Sequence, residues 1–396
     1  MSGISDSNPF VGPRPIQPGE ALYGRAAEIR ELYNRLQARR IVVLHSPSGA
    51  GKSSLVQAGL IPKLQANKFD VWKPIRVNFD PAGLEGVPEH CNRYSLSAML
   101  SLEEELPADH RRSPAQLAGL SFADYLASRP RRKGRVANSV VLIFDQFEEV
   151  LTLAPQAIEQ KREFFTAIGE ALGAEQYWAL FVIREDFLAA FAPYRDKIPT
   201  QLSNTFRLDL LGLEGAREAA KELALVGGRS FPGVDQLIRD LSAIQVQRPD
   251  GSFVAEQGHY VEPVQLQVVC RRLWTAMPAE DLSIDAEDIV RYADVSTALG
   301  GYYAESVAAI AKGQVTVERK LRDWVANTLI VAGIRSQVRQ EAGQSAGLDN
   351  QLIDQLMNCY LVRNEQRGGA NWFELSHDRL VQPIQGPFTD VVVFNI

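Results

Sequence analysis

Cysteine is scarce in this sequence, and its three residues, Cys91, Cys270 and Cys359, stand far apart with no C-x-x-C pair. That excludes a zinc knuckle and a disulfide framework, and predicts reduced thiols in a cytoplasm. An excess of positive charge is missing as well. The net charge of −6 is the reverse of the basic balance that a primary nucleic-acid binder shows. No apolar run approaches the ~20 residues of a membrane helix. Met1 to Gly12 has no basic region followed by an apolar stretch, so it does not read as a signal peptide. Internal repeats and low-complexity tracts are lacking. What is left, 396 residues of which 45% are apolar and 23% charged, is an ordinary globular composition. At ~100–200 residues per domain it has room for two to four domains.

The signals that are present follow an α/β order. Residues 8–20, marked by proline and glycine, read as an irregular leader. A helix is expected over 26–37, where Ile29, Leu32, Tyr33 and Leu36 share one face. Residues 40–45 (RIVVLH) are a short continuous apolar run, the mark of a parallel strand buried on both faces, and 140–144 (VVLIF) repeat it. Between and beyond them the sequence predicts a helix from 52 to about 60 and a strand over 71–79, whose Pro74 suits a sheet edge better than a centre. Mixed polar residues with helical pieces over 82–135, a helix over 156–172, and strands over 178–183 and 206–211 follow. Strands alternating with helices predict a three-layer α/β domain with a parallel sheet. After Gly212 the pattern turns to helices without strands, up to about 311. Helices over 317–329, with Leu321, Trp324, Val325 and Thr328 on one face, and over 350–360 precede strands over 360–363 and 372–375 around Gly368-Gly369. Helices followed by such a hairpin predict a winged helix.

Between the first apolar strand and its helix lies Ser46-Pro47-Ser48-Gly49-Ala50-Gly51-Lys52-Ser53, followed by Ser54. From Gly51 onward this has the spacing of a phosphate-binding Walker A loop. Its first position holds Ser46 where the motif has glycine, and a small residue still fits there. Glycines let backbone N–H groups wrap phosphates, and the helix N-terminus adds a positive dipole end. Lys52 would reach the β- and γ-phosphates, and Ser53 would offer its hydroxyl to Mg²⁺. ATP or ADP with Mg²⁺ is the expected ligand.

The second apolar strand ends in Asp145-Gln146-Phe147-Glu148-Glu149, a Walker B pattern. Asp145 is expected to hold Mg²⁺ through water. Glu148 and Glu149 are both able to polarise an attacking water, or to cap the next helix, whose start favours acids. Arg184, at the tip of another strand, either senses the γ-phosphate or pairs with Glu185 or Asp186. Arg129, Arg131, Arg132, Lys133 and Arg135, just before the acidic strand, read as a solvated loop.

With the phosphate loop, the acidic strand end and Arg184, the chain resembles signal-transduction ATPases of the STAND type. The likeness is nearest to a bacterial novel STAND branch related to NACHT and NB-ARC switch ATPases, and more distantly to AAA+ proteins. It spans about residues 8–385. Leu22-Tyr23-Gly24-Arg25 is similar to the family's hydrophobic-Gly-Arg box, whose backbone lies near the adenine; this implies nucleotide contacts at Tyr23, Gly24 and Arg25. The box's acidic follower is replaced by Ala26. The acids at 145, 148 and 149 look like the NACHT arrangement, and Arg184 matches the family's sensor arginine. Tyr260-Val261-Glu262-Pro263 is similar to the helical-domain proline motif, which implies that Pro263 meets the base. Leu375-Ser376-His377-Asp378 looks like the winged-helix His-Asp motif, whose histidine reaches the β-phosphate of ADP and locks a closed state. A charge-assisted bond of that kind contributes about 1.5–3 kcal/mol, roughly 10–100-fold in a closed–open equilibrium.

The organisation expected is thus a leader over 1–20, a P-loop NTPase domain over 21–212, an all-helical domain over 213–311, a winged-helix domain over 312–385 and a tail over 386–396. The resemblance implies a slow regulatory ATPase in signalling or bacterial defence. ADP would hold the three domains together; exchange for ATP would release His377, open the chain and permit self-oligomerisation; hydrolysis would reset it. Effector and sensor arrays, usual in the family, are not visible, so they are expected on other protein chains. The apolar Val391-Val392-Val393-Phe394 reads as a docking strand or a remnant of truncation. The competing class is an AAA+-like DNA-binding ATPase using its winged helix. Against it, residues 341–362 hold no Lys or Arg, and phosphate contact needs cations there. A small-molecule P-loop kinase would need an acceptor site and an arginine-rich lid, which the helical and winged parts do not suit.

Overall fold

The structure is a computed structural model. It describes residues 8–385 apart from 48, 78, 80–83, 89, 130–138, 153, 155, 248–252, 294–297, 332–333, 368–369 and 377–379. Five strands, β1 (Ile41–Ser46), β2 (Asp70–Val71), β3 (Val140–Phe144), β4 (Tyr177–Arg184) and β5 (Thr205–Arg207), form a parallel sheet in the order β2-β3-β4-β1-β5. The continuous apolar runs follow from burial on both faces. Ile41 and Val43 enter one core with Leu142, Phe144 and Phe181; Val42 and Leu44 enter the opposite core with Val141, Ile143 and Leu180. Helix Ile158–Gly173 adds Phe164, Phe165 and Ile168 to the first core. Helix Ala26–Arg39 adds Leu32, Tyr33 and Leu36 to the second. Each fully buried side chain of this kind contributes about 1.5–3 kcal/mol relative to exposure.

The sequence pattern and the structure part at four places. The strand expected over 71–79 pairs only at Asp70–Val71, and a single bridge, Ile75 to Phe144, continues it past Pro74, which has no N–H to give. The helix after the phosphate loop runs on through Lys52–Ser54, Leu55–Leu60 and Ile61–Ala66, its middle part π-helical. The strand expected over 206–211 divides: β5 stays in the sheet, and Leu211–Gly212 pairs antiparallel with Tyr260–Val261. The stretch expected to hold helices without strands contains an antiparallel pair, Ala243–Gln247 with Phe253–Gln257. Its sequence signal is the turn-forming triplet Pro249-Asp250-Gly251 between residues 244–247, which alternate apolar and polar, and the apolar run 253–255.

A separate core gathers Leu211, Ala220, Leu237, Ile238, Leu266 and Leu273 from the helices Leu213–Val226, Val234–Ser242 and Pro263–Ala276 and their surroundings. The leader has no regular structure over its described residues, yet Phe10 is 0% exposed in this core, edge-on to Trp274. A further core lies among the helices Ala298–Ala311, Val315–Thr328 and Asn350–Asn358 and an antiparallel sheet of Gln337–Arg339, Ala370–Leu375 and Val362–Arg367. Among the described residues no helix is long and apolar enough to cross a membrane.

Candidate nucleotide-binding cleft

Ligands of open α/β sheets sit outside the carboxyl ends of the strands. Here β1 ends at Ser46 and β4 at Arg184, which are register partners, and Asp145 directly follows β3. Because β4 lies between β1 and β3, Arg184 stands between the loop and Asp145. Gly49 and Gly51 take φ of 81° and 89°, a region that L side chains rarely adopt. Gly51 precedes the helix, so the N–H groups of Lys52, Ser53 and Ser54 have no helical acceptor and are available to an anion. Lys52 Nζ donates to Ser46 Oγ at 2.8 Å, so the serine in the glycine position holds the ammonium. Burial pushes the Lys52 pKa down, with Glu148 and Asp145 opposing it. A phosphate would offset that burial. Ser54 Oγ accepts from the Ile16 N–H at 3.1 Å.

The acidic residues are held differently. The Asp145 N–H donates to Ile75 O at 3.0 Å, and its Oδ1 accepts from the Gln146 N–H at 3.0 Å. Gln146 itself has φ of 51°, a left-handed turn costing roughly 1–2 kcal/mol. Glu148 Oε2 accepts from the Arg184 N–H at 3.3 Å, and burial pushes its pKa up. Glu149 instead pairs with Arg76, whose Nη2 stands 2.6 Å from its Oε1. Burial pushes Glu149 up to about 7, with Arg76 opposing. Arg184 pairs with Asp186 at 2.7 Å while lining the cleft.

Arg25 is held against the loop, Tyr23 lines the same cleft, and Gly24 packs against Gly215. Gly24 has φ of 75°, and a Cβ on it would lie 2.1 Å from Gly215 O. The Arg25 guanidinium donates to Ala50 O and Asp209 O, both at 3.0 Å, and pairs with Glu28. Pro263 opens its helix 3.9 Å from where a Gly51 Cβ would stand.

The resulting cavity is about 330 Å³, within the range of small-ligand sites. It brings together Tyr23, Arg25, Gly49, Ala50, Gly51, Lys52, Ser53, Ser54, Asp145, Glu148, Arg184 and Pro263. Gly24, Ser46, Pro47 and Glu149 do not line it; Ser48, His377 and Asp378 lie outside the described residues, and Ser376, next to His377, lines the cavity. The sequence reading missed three contributions. The leader lines the cavity through Arg14 and Ile16, with Arg14 fixed by a two-pronged pair to Glu20 at 2.6 and 2.8 Å. Leu223 and Gln267 add walls from the central helices, and Tyr360 and Arg363 reach it from the last core. Arg363 is set by Glu374, which also takes Gln337 Nε2 at 2.6 Å and faces Arg335. Arg129, expected in a solvated loop, is buried against Glu105 and over the Trp72 ring; its aliphatic stem makes burial favourable once the charge is paired. Arg131, Arg132, Lys133 and Arg135 lie outside the described residues.

The family model described as Novel STAND NTPase 1 matches residues 9–383. The chain therefore belongs to the novel STAND NTPases, a P-loop NTPase family. No curated relative matches it. Among solved structures, a Walker-type ATPase of Pyrococcus abyssi is 12% identical over 94% of this chain and 99% of its own, with a TM-score of 0.45. The Aeropyrum pernix ORC2 protein, with ADPNP and ADP, is 16% identical over 96% of both chains at 0.47. The ORC1 protein of the same organism in complex with DNA is 12% identical over 92% of both at 0.40. None of these likenesses carries a residue-level correspondence to this chain.

Proposed function

We propose that the chain is a regulatory ATPase in which the bound nucleotide sets the arrangement of three units, with boundaries near 212 and 311 and a winged helix as the third. The observation that carries this reading is the make-up of the cleft. The phosphate loop, Pro263 and Gln267 of the central helices, and Tyr360, Arg363 and Ser376 of the last unit all wall one cavity. A ligand there touches all three units, so ADP and ATP shift their arrangement by their difference in affinity for it.

In this reading the N–H groups around Gly51 and the Lys52 ammonium take the β- and γ-phosphates. Ser53 and Asp145 offer a hydroxyl and a carboxylate, the hard oxygen donors that suit Mg²⁺. Mg²⁺, when bound, neutralises the charge on the phosphates. Tyr23 and Pro263 border the base, Gly24 shapes the backbone that carries Tyr23, and Arg25 fixes the loop. Glu148 takes the proton of the attacking water, and Arg184 exchanges Asp186 for the γ-phosphate. His377, next to Ser376, donates to the β-phosphate of ADP and holds the closed state. ATP loosens this contact, the last unit swings away, and the exposed surfaces meet further copies or partner chains in the cytoplasm.

The test is His377→Ala, followed by ADP release rate and by size in solution with ADP and with ATP. Release of ADP about 10–100-fold faster, with enlargement no longer dependent on ATP, is the expected outcome. Unchanged release and unchanged size would sink the lock.

A further inference from the structure

Beyond this cleft the α/β unit holds a second cavity, also of about 330 Å³, which the proposed switch does not use. Four cations line it, Lys73, Arg76, Arg111 and Arg112, against two carboxylates, Glu103 and Glu104. Lys73 is matched by Glu104 and Arg76 by Glu149. The other two form no ion pair among the described residues, although Glu103 Oε2 accepts from the Arg112 backbone N–H at 2.7 Å and the Arg112 guanidinium lies over the Tyr125 ring. Arg111 donates to Leu106 O at 2.8 Å and Glu104 O at 3.0 Å, and Arg112 to Ser128 Oγ and Ser128 O, both at 3.1 Å. These are neutral oxygens, and neither guanidinium has an ion-pair partner among the described residues. Guanidinium groups in that state favour phosphate and carboxylate, which they grip in two-pronged fashion. One wall is not polar: Phe79 is 42% exposed beside Leu100. An exposed ring at a cationic cavity suits a flat apolar group carrying the anion.

We propose that this cavity is a binding site for a small organic phosphate with a planar apolar portion. The wall residue Arg76 links it to the nucleotide cleft. Its guanidinium also contacts Gln146, which follows Asp145 and lines the cleft, and its N–H donates to Ser101 Oγ at 3.1 Å beside the second cavity. An anion there competes with Glu149 and Gln146 for Arg76, so occupancy of the second cavity reaches the turn that carries Asp145.

The probe is phenyl phosphate, with inorganic phosphate as the anion without a ring. Binding is followed by equilibrium dialysis on the whole chain with ADP and Mg²⁺ saturating, so that the first cleft is filled. Lys52→Ala run in parallel keeps the answer independent of whether that cleft takes nucleotide. The expected result is about one equivalent of phenyl phosphate per chain, bound more tightly than inorganic phosphate and retained in Lys52→Ala. Arg111→Ala with Arg112→Ala is expected to weaken it at least about tenfold. Because those arginines also hold helix ends, Phe79→Glu, an exposed change that adds a negative charge to the wall, is the second variant and is expected to weaken binding by a similar factor. No binding beyond the first cleft, binding lost in Lys52→Ala, or binding untouched by Phe79→Glu would overturn the proposal.

Discussion

Arg76 Nη2 stands 2.6 Å from Glu149 Oε1, so the second of two adjacent carboxylates has a counter-ion while the first, Glu148, faces the cleft. The two acids that the sequence leaves equivalent as candidate bases therefore predict different variants. Glu148→Gln should lower ATP turnover about 10²–10⁴-fold with nucleotide affinity little changed. Glu149→Gln should act on stability instead, by roughly 2 kcal/mol, below the ~3–5 of a fully buried pair because Arg76 is only part-buried. Turnover under saturating ATP and denaturant unfolding of both variants check this. A dead Glu149→Gln with an active Glu148→Gln would reverse the assignment.

Lys52 is held to Ser46 Oγ and lines the cleft. Its replacement should leave the fold intact and weaken ADP about 10–100-fold, the worth of a charge-assisted bond. Equilibrium dialysis with labelled ADP on Lys52→Ala measures it, with helical content followed alongside.

Gly24 sits in the left-handed region with Gly215 O where its Cβ would be. Gly24→Ala should force the irregular segment before the helix Ala26–Arg39 away from the central helices. We expect a loss of about 1–3 kcal/mol from backbone strain alone, with a larger loss from the clash, seen as a fall of several degrees in thermal unfolding. Gly19→Ala, with open space around it but a similar φ of 90°, separates the two contributions: it should show the strain without the clash.

The sign of one acid effect is fixed by Glu374. Burial would raise its pKa, but Arg363 and Arg335 more than reverse this and hold it down to about 2, against an ordinary 4.5. A carboxyl depressed in the folded state stabilises above its unfolded pKa, and the contribution fades as pH falls from about 4.5 to about 2. The last unit should loosen over that window, read by the fluorescence of Trp324 and Trp372. Glu374→Gln should be less stable at neutral pH and lose most of the pH dependence.

What could be read in the sequence follows a physical line. The continuous runs 41–44 and 140–144 announced strands buried on both faces, and the glycines of the phosphate loop announced a turn that only they adopt easily. Those are local signals. Arg76 was illegible because its partner lies 73 residues away and is set by the bridge from Ile75 to Phe144. Phe10 looked like part of an irregular leader, and nothing local says that it belongs to a core built after residue 210. Tyr360 and Arg363 reach the cleft only through the packing of the last unit. The pair 243–247 with 253–257 was legible, through Pro249-Asp250-Gly251, but the surrounding helices masked it.

The most direct test of the account is to denature the freshly purified chain and identify by chromatography any nucleotide it releases. About one ADP per chain is the predicted result, because in the proposed switch the nucleotide holds three units closed around it and leaves slowly. Release of no nucleotide, together with no binding of ATP or ADP when either is added with Mg²⁺, would contradict it.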